Sequence, residues 1–362
     1  MKPMSHPQTP DSNLSTRRQW LTFQIERTGI HDTVDNSVCD RNPEVCSPVR
    51  LQHFSHRAMG CTFQVLVPAD RYPQAAQLVM CAFEEIDRWE SILSIYRTDS
   101  ELSRINALAA HQWCTMSAEL FTLVQFAMEL ARQTRGAYDP TSTELSRVWG
   151  FLDGQPRLPD EATLVAARQL VGYSHVALRP DDHAIQFERL GLTLNFNGIG
   201  KGFALQKVAE MLTAAGVRDF IIHGGQSSVV ARGNCELQGT RSGWQVGLSH
   251  PMIPNQRLAE FTLVGESLGT SGSQRQAFFS DGKRYGHVLD PRTGWPADHV
   301  ASATVIHDNA AVCDALSTAC FVMGEDEIEL FCAEHAEVKV VRSLPVSGGS
   351  LRLQTWNLPN VE

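Results

Sequence analysis

The sequence predicts an α+β protein in which antiparallel meanders pack against helices. Three observations lead there: helical hydrophobic periods cluster early, period-two runs then follow one another in blocks, and the two never settle into a regular βαβ alternation. At 362 residues, one body with two lobes is within reach of such a fold, and length alone leaves the domain count open.

Residues 1–50 are polar, with scattered Pro, Ser, Asn and Asp and no hydrophobic period, so they read as a flexible or loosely docked arm ahead of a folded unit at 51–362. Alternation at Thr62 to Val67 predicts a strand. Leu78, Ala82, Ile86, Trp89 and Leu93 keep helical spacing, and a second helix is expected from Ser117 to Thr134. A short helix at Ala162 to Val171 precedes a meander of Val176 to Leu178, Ala184 to Phe187 and Leu192 to Leu194. The next helix runs from Ile199 to Ala215 and buries Ala204, Val208, Met211 and Leu212. Strands are expected at Phe220 to His223, Ser227 to Ala231, Trp244 to Leu248, Leu258 to Val264 and Ser302 to Ile306. A last helix spans Asn309 to Met323, with Asp308 as its N-cap.

A hydrophobic share of 43% with 20% charged residues belongs to a globular chain, and no stretch approaches the length of a membrane span. The net charge of -9 argues against a nucleic-acid surface, which needs clustered Lys and Arg. Nine cysteines without CxxC or zinc spacing read as reduced packing thiols, with Cys39 and Cys46 the one pair close enough in sequence to suggest a disulfide. STRRQWL at Ser15 faintly resembles a twin-arginine signal. Glu26 and Arg27 break the apolar run behind it and no small-residue cleavage site follows, so the expected compartment is cytoplasmic.

Chemistry concentrates in three places. The stretch Tyr285 to Pro296, YGHVLDPRTGWP, packs His287, Asp290, Arg292 and three turn formers into one loop. Asp314 and Thr318, four apart in an apolar helix, share a face, and an unpaired carboxylate among such neighbours would be costly to bury. NFNGIGKG, from Asn195 to Gly202, closes an apolar strand and opens a helix whose free N–H groups suit phosphate, with Lys201 adding charge. Together they describe a site for a phosphorylated ligand with a hard cation. Each also has a plainer reading: an ordinary strand-to-helix turn, a helix threonine bonded back to its own carbonyl, a well-made turn with a structural histidine.

In order along the chain, MGCTFQV at Met59, SIYRTDSELSRIN at Ser94, GAYDPT at Gly136, NFNGIGKGFA, TSG at Thr270, HVLDPRTGWP and CDALSTACFVMG resemble the motifs of the ApbE family of flavin transferases. The resemblance covers roughly residues 55–345. It implies an ApbE-like fold and transfer of FMN from FAD onto a threonine or serine of an acceptor protein, with Mg²⁺ as cofactor and FAD as substrate. It further implies metal contacts from the Gly198 carbonyl, Asp314, Ser317 and Thr318, and FAD contacts from Met59, Tyr96, Ala137, Tyr138, Asp139, Asn195, Lys201 and Val288. Tyr96 matches an aromatic that stacks on the flavin, and His287 with Asp314 matches the catalytic positions, His287 at the scissile phosphates.

Two positions depart from the family pattern: Asn195 and Gln226 stand where relatives commonly carry acidic residues. An Asn still hydrogen-bonds but supplies no charge. Many relatives are exported lipoproteins, and the expected lipobox is missing here. An FAD pyrophosphatase and a catalytically silent FAD-binding protein are the competing expectations.

Overall fold

A computed structural model describes residues 50–235, 243–253, 256–272, 276–346 and 350–358. The expected N-terminal arm and the Cys39–Cys46 pair lie outside the described residues. The described chain opens with a strand hairpin, β1 (Leu51–Ala58) and β2 (Cys61–Pro68), of which only the second was expected. Met59 and Gly60 close it at φ 47° and 67°. Two left-handed residues are what a tight hairpin turn of this hand demands, which explains the glycine.

Helices follow: α1 (Ala75–Leu93), α2 (Glu101–Leu108), the short strand β3 (Cys114–Thr115), α3 (Ala118–Gln133), α4 (Thr143–Val148) and α5 (Glu161–Arg168). Then come β4 (Val176–Arg179), β5 (Ala184–Phe187), α6 (Gly200–Ala214), β6 (Phe220–Gly224), β7 (Ser228–Arg232), β8 (Trp244–Ser249), β9 (Arg257–Leu263) and β10 (Ser267–Gly272). The chain continues through β11 (Ala277–Ser280), β12 (Lys283–Gly286), β13 (Ser302–His307), α7 (Ala310–Val322), α8 (Glu325–Glu334), β14 (Lys339–Pro345) and β15 (Leu351–Trp356).

The main sheet is antiparallel throughout, in the order β1-β2-β6-β7-β10-β13-β14-β15. Its period-two alternation sorts side chains into two cores. Val65, Val67, Ile222 and Val230 face α1 and α6, and Val305 and Val340 face α3 and α7. Leu66, Ile221, Val229, Ala231, Leu268, Ile306 and Val341 face the other way, against Trp244, Val246, Phe261 and Leu263 of the β8-β9 ribbon. A slip of one residue would exchange the two faces, so the pattern fixes the register. The α+β expectation with meanders against helices holds.

Two local expectations fail for physical reasons. Leu192 to Leu194 is not a strand: Asn106 donates to the Leu194 carbonyl (2.9 Å) and accepts its N–H (2.8 Å), so a side-chain amide replaces the neighbouring strand. The small sheet takes β3 instead, in the order β3-β5-β4. The N-cap of α7 is Asn309, not Asp308, since Asn309 Oδ1 accepts from Ala311 N and Val312 N while Asp308 turns outward beside His307. The helix expected to reach Val171 stops at Arg168. Among the described residues no helix is long and apolar enough to cross a membrane. Of the described cysteines all but Cys81 are buried, as packing thiols should be.

Candidate functional site

α7 is apolar all round because it lies inside the protein, against β10, β13 and α6. Glycines set how closely it lies. A Cβ at Gly269 of β10 would stand 2.5 Å from the Cys313 carbonyl group, and one at Gly202 of α6 only 2.2 Å from the Ala310 carbonyl oxygen and 2.9 Å from Asp314 Cγ. The last glycine of NGIGKG is therefore there for helix approach. The approach brings Gly202 N–H to donate to Asp314 Oδ2 at 2.6 Å, while Ser228 Oγ donates to Oδ1 at 2.6 Å and Lys201 Nζ stands 3.7 Å from Oδ2.

This corrects the expectation that the start of α6 offers a row of free amides to phosphate. Gly200 N bonds Phe196 O, Phe203 N bonds Ile199 O, and Gly202 N is taken by Asp314. The helix's positive end and Lys201 are aimed at a carboxylate supplied by the protein itself. Burial pushes the Asp314 carboxyl up from the ordinary carboxylate range, and the Lys201 charge, then the Ser228 and Gly202 donors, pull it back.

One turn further along α7, Ser317 and Thr318 meet Ser271 of the TSG triplet. Ser271 Oγ shares hydrogen bonds with Ser317 Oγ (2.9 Å) and Thr318 Oγ1 (3.1 Å). Both helix hydroxyls also bond back to the Asp314 carbonyl, which the plainer reading expected of the threonine alone. In front of Gly198 an added Cβ would make only ordinary contacts, 3.4 Å to Tyr138 Cε2 and 3.7 Å to Thr318 Oγ1. That leaves a gap of about one atom between the tyrosine ring edge and the threonine hydroxyl. Carboxylate, hydroxyls and a peptide carbonyl form an all-oxygen set, so these residues fit a hard cation.

The GAYD loop is locked beside this cluster. Asp139 accepts from Thr141 N, Thr141 Oγ1 and Tyr173 N, and Asn195 N donates to Pro140 O at 2.8 Å. Burial pushes Asp139 up, opposed by those same donors. Asn195 Oδ1 accepts Asn197 N at 2.9 Å, so the amide that replaces the family's acid still shapes the turn. Ala137 is buried, and its side chain adds only packing. Tyr138 is buried with its hydroxyl unpartnered, and burial together with the Asp139 and Asp314 charges pushes its phenol well up, keeping it protonated.

His287 sits where β12 leaves the ribbon. Its Nδ1 donates to Gln276 O (3.2 Å), so Nε2 carries the lone pair, and its ring meets Phe151 edge-on. Burial holds its pKa down to about 4, with Arg284 acting the same way and the Gln276 bond opposing. Val288 is buried, its carbonyl taken by Ala297 N. Met59 is half-buried at the hairpin tip between two cores, and Gln226 occupies the β6–β7 turn at φ 65°. Tyr96 is 69% exposed while its neighbour Ile95 anchors the loop, which leaves the ring face open for stacking.

A cavity of about 390 Å³ opens among Arg135, Asp139, Arg168, Tyr173 and Arg292; Asp314, Lys201 and Thr318 take no part in its wall. An ion pair and hydrogen bonds thus join Asp314, Lys201, Ser317, Thr318 and Ser271, Gly198 and the Tyr138 ring lie alongside, and His287, Tyr96 and Met59 stay on separate loops. Sequence reasoning missed Ser228 and did not assign Ser271. The TSG triplet was the signal for Ser271, and Ser228 carried none.

Residues 59–341 match the model of the ApbE family. The FAD:protein FMN transferase of Treponema pallidum (strain Nichols) is 30% identical over 264 residues, 69% of this chain and 73% of the relative. That of Vibrio cholerae is 29% identical over 315 residues, covering 83% of this chain and 90% of the relative. Among solved structures, the flavin transferase ApbE from Vibrio cholerae is similar with a TM-score of 0.75 at 25% identity, covering 85% of this chain and 98% of that one. The ApbE protein of Thermotoga maritima gives 0.74 at 26%, covering 84% and 96%.

Proposed function

The chain belongs to the ApbE family, and from that premise we propose that it transfers FMN from FAD to the hydroxyl of a threonine or serine in an acceptor protein, releasing AMP. The observation that carries the reading is the meeting of three separate sequence motifs, CDALSTAC with Asp314 and Thr318, TSG with Ser271, and NFNGIGKG with Gly198 and Lys201, around one group of oxygen donors.

Mg²⁺ is the ion this donor set suits; Asp314, Thr318 and the Gly198 carbonyl would hold it with Ser317 beside them, and it would supply neutralisation of pyrophosphate charge. Lys201 contributes a second positive charge at the same place. Tyr96 offers its exposed face to the isoalloxazine, and Met59, Ala137, Tyr138, Asp139, Asn195 and Val288 line the remaining FAD contacts. His287, neutral at physiological pH with Nε2 unprotonated, accepts the proton of the acceptor hydroxyl. That oxygen bonds to the FMN phosphorus as the bond to the AMP phosphate breaks, and AMP leaves with the electron pair. Most of the rate comes from positioning and electrostatics.

The test is incubation with FAD, Mg²⁺ and a threonine-bearing acceptor peptide, read by mass spectrometry. The expected product is a peptide carrying FMN through a phosphodiester, together with AMP. Free FMN and AMP at the same rate with and without peptide would replace transfer with pyrophosphate hydrolysis, and unchanged FAD would leave a binding protein.

A further inference from the structure

We propose that the Tyr138 hydroxyl is a positioning group that acquires its hydrogen-bond partner only on loading, when it donates to a phosphate or water oxygen brought in beside Gly198. The inference rests on the flavin-transfer reading and adds a named donor to it.

Tyr138 is 4% exposed, and its hydroxyl has no partner. Buried hydroxyls are nearly always paired, and phenylalanine would fill the same space without the cost. The loop is tied to the end of α3, because Tyr138 N donates to Thr134 Oγ1, which in turn donates to the Leu130 carbonyl at 2.8 Å. Nor does a neighbouring carboxylate accept from it. Asp139 already takes three hydrogen bonds, and Asp314 takes Gly202 N and Ser228 Oγ. The ring edge borders the one-atom gap before Gly198, with Thr318 Oγ1 on the gap's other side. A donor kept unpaired at the wall of a space that the Thr318 hydroxyl also borders matches an incoming oxygen acceptor.

The experiment compares wild type with Tyr138→Phe by thermal unfolding and by FAD titration, each with and without Mg²⁺. Without ligand, the variant is expected to unfold at or above the wild-type temperature, because it loses an unpaired polar atom. With FAD and Mg²⁺, its stabilisation is expected to be smaller and its FAD affinity lower by about fivefold to tenfold, the worth of one hydrogen bond. A variant that is destabilised or unfolded without ligand shows that the hydroxyl is already satisfied in the free protein and overturns the proposal. So does equal ligand stabilisation in both proteins. If wild type itself gains nothing from FAD and Mg²⁺, the flavin-transfer reading fails, a different outcome from the failure of Tyr138 alone.

Discussion

The turn at 285–296 is closed almost wholly by its own residues, whereas the Asp314 junction is assembled from segments far apart in the chain. In the turn, Asp290 N bonds Trp295 O, Gly294 N bonds Asp290 O, and Asp290 accepts both the backbone and guanidinium N–H of Arg292. Arg292 also reaches Glu327 of α8, and Trp149 Nε1 donates to Gly294 O. The stretch richest in chemical side chains thus spends nearly all of them on its own shape, with His287 left over. At the junction, Asp314 meets Gly202 from 112 residues away and Ser228 from 86. Here local motif density marks architecture, while the proposed ion site lies where distant single residues converge.

The strongest blow to this contrast is Asp314→Asn. It removes the only carboxylate of the oxygen cluster, and Mg²⁺-dependent transfer is expected to fall by about 10²-fold or more, since the electrostatic effect of such groups is worth that much. Initial rates over a Mg²⁺ series measure it, with circular dichroism to check the fold. Normal rates at low Mg²⁺ would move the metal elsewhere. Thr318→Val is expected to weaken metal dependence less.

His287→Ala is the next largest. FAD binding is expected to survive while transfer slows at least about tenfold, the low end of general-base contributions. Wild-type rates across neutral pH would leave the turn with no chemistry at all, and Asp314 would be the next base to test.

Gly198→Ala sharpens the comparison from the junction side. The added methyl meets only ordinary contacts, so unfolding temperature is expected to stay near wild type. Yet the methyl fills the gap through which a ligand oxygen would come in beside Thr318 and the proposed ion, and Mg²⁺-dependent FAD affinity should drop about tenfold or more, at least the loss of one charge-assisted contact. Unchanged affinity would show the gap to be irrelevant. Arg292→Ala is the mirror case: a lowered unfolding temperature by about the 1 kcal/mol of a part-exposed ion-pair network, with FAD affinity kept. Lost affinity in a stably folded Arg292→Ala protein would break the distinction between the two regions.

The smallest effect is on pH. Burial holds the folded pKa of His287 and of His223 at about 4, below the unfolded value of 6.5. Their contribution to stability is complete above pH 6.5 and is lost as pH falls towards 4. Urea midpoints at pH 7 and pH 5 should differ less in His287→Ala than in wild type; an equal difference would mean that His287 is not the group being charged.

These contrasts explain what could be read from the chain alone. Asp314 and Thr318 announced themselves through spacing on one helix, and the strands through alternation, because both signals are local. Ser228 gave no sign, since its role exists only once β7 lies beside α7. The glycines of NGIGKG were legible as a close approach, but the partner was not: the carboxylate that fills the start of α6 lies in a helix a third of the chain away. Leu192 to Leu194 misled for the same reason, because Asn106 supplies what a neighbouring strand would have supplied. Asn195 reads differently in place too, since its amide closes the turn at Asn197 whatever it does for a ligand.

The two glycine seats beneath α7 also decide where motion can live. A single methyl at Gly202 or Gly269 would already collide with the helix backbone, so α7 has no slack to slide along β10, and packed interiors yield in jumps, not by degrees. Any opening and closing needed to load the proposed site would therefore fall to the loops that carry Met59, Tyr96 and His287, above a floor that close packing holds still. Retuning the proposed ion site would leave that floor alone and change Ser271 and Ser317, the hydroxyls packed around Thr318, without moving a helix.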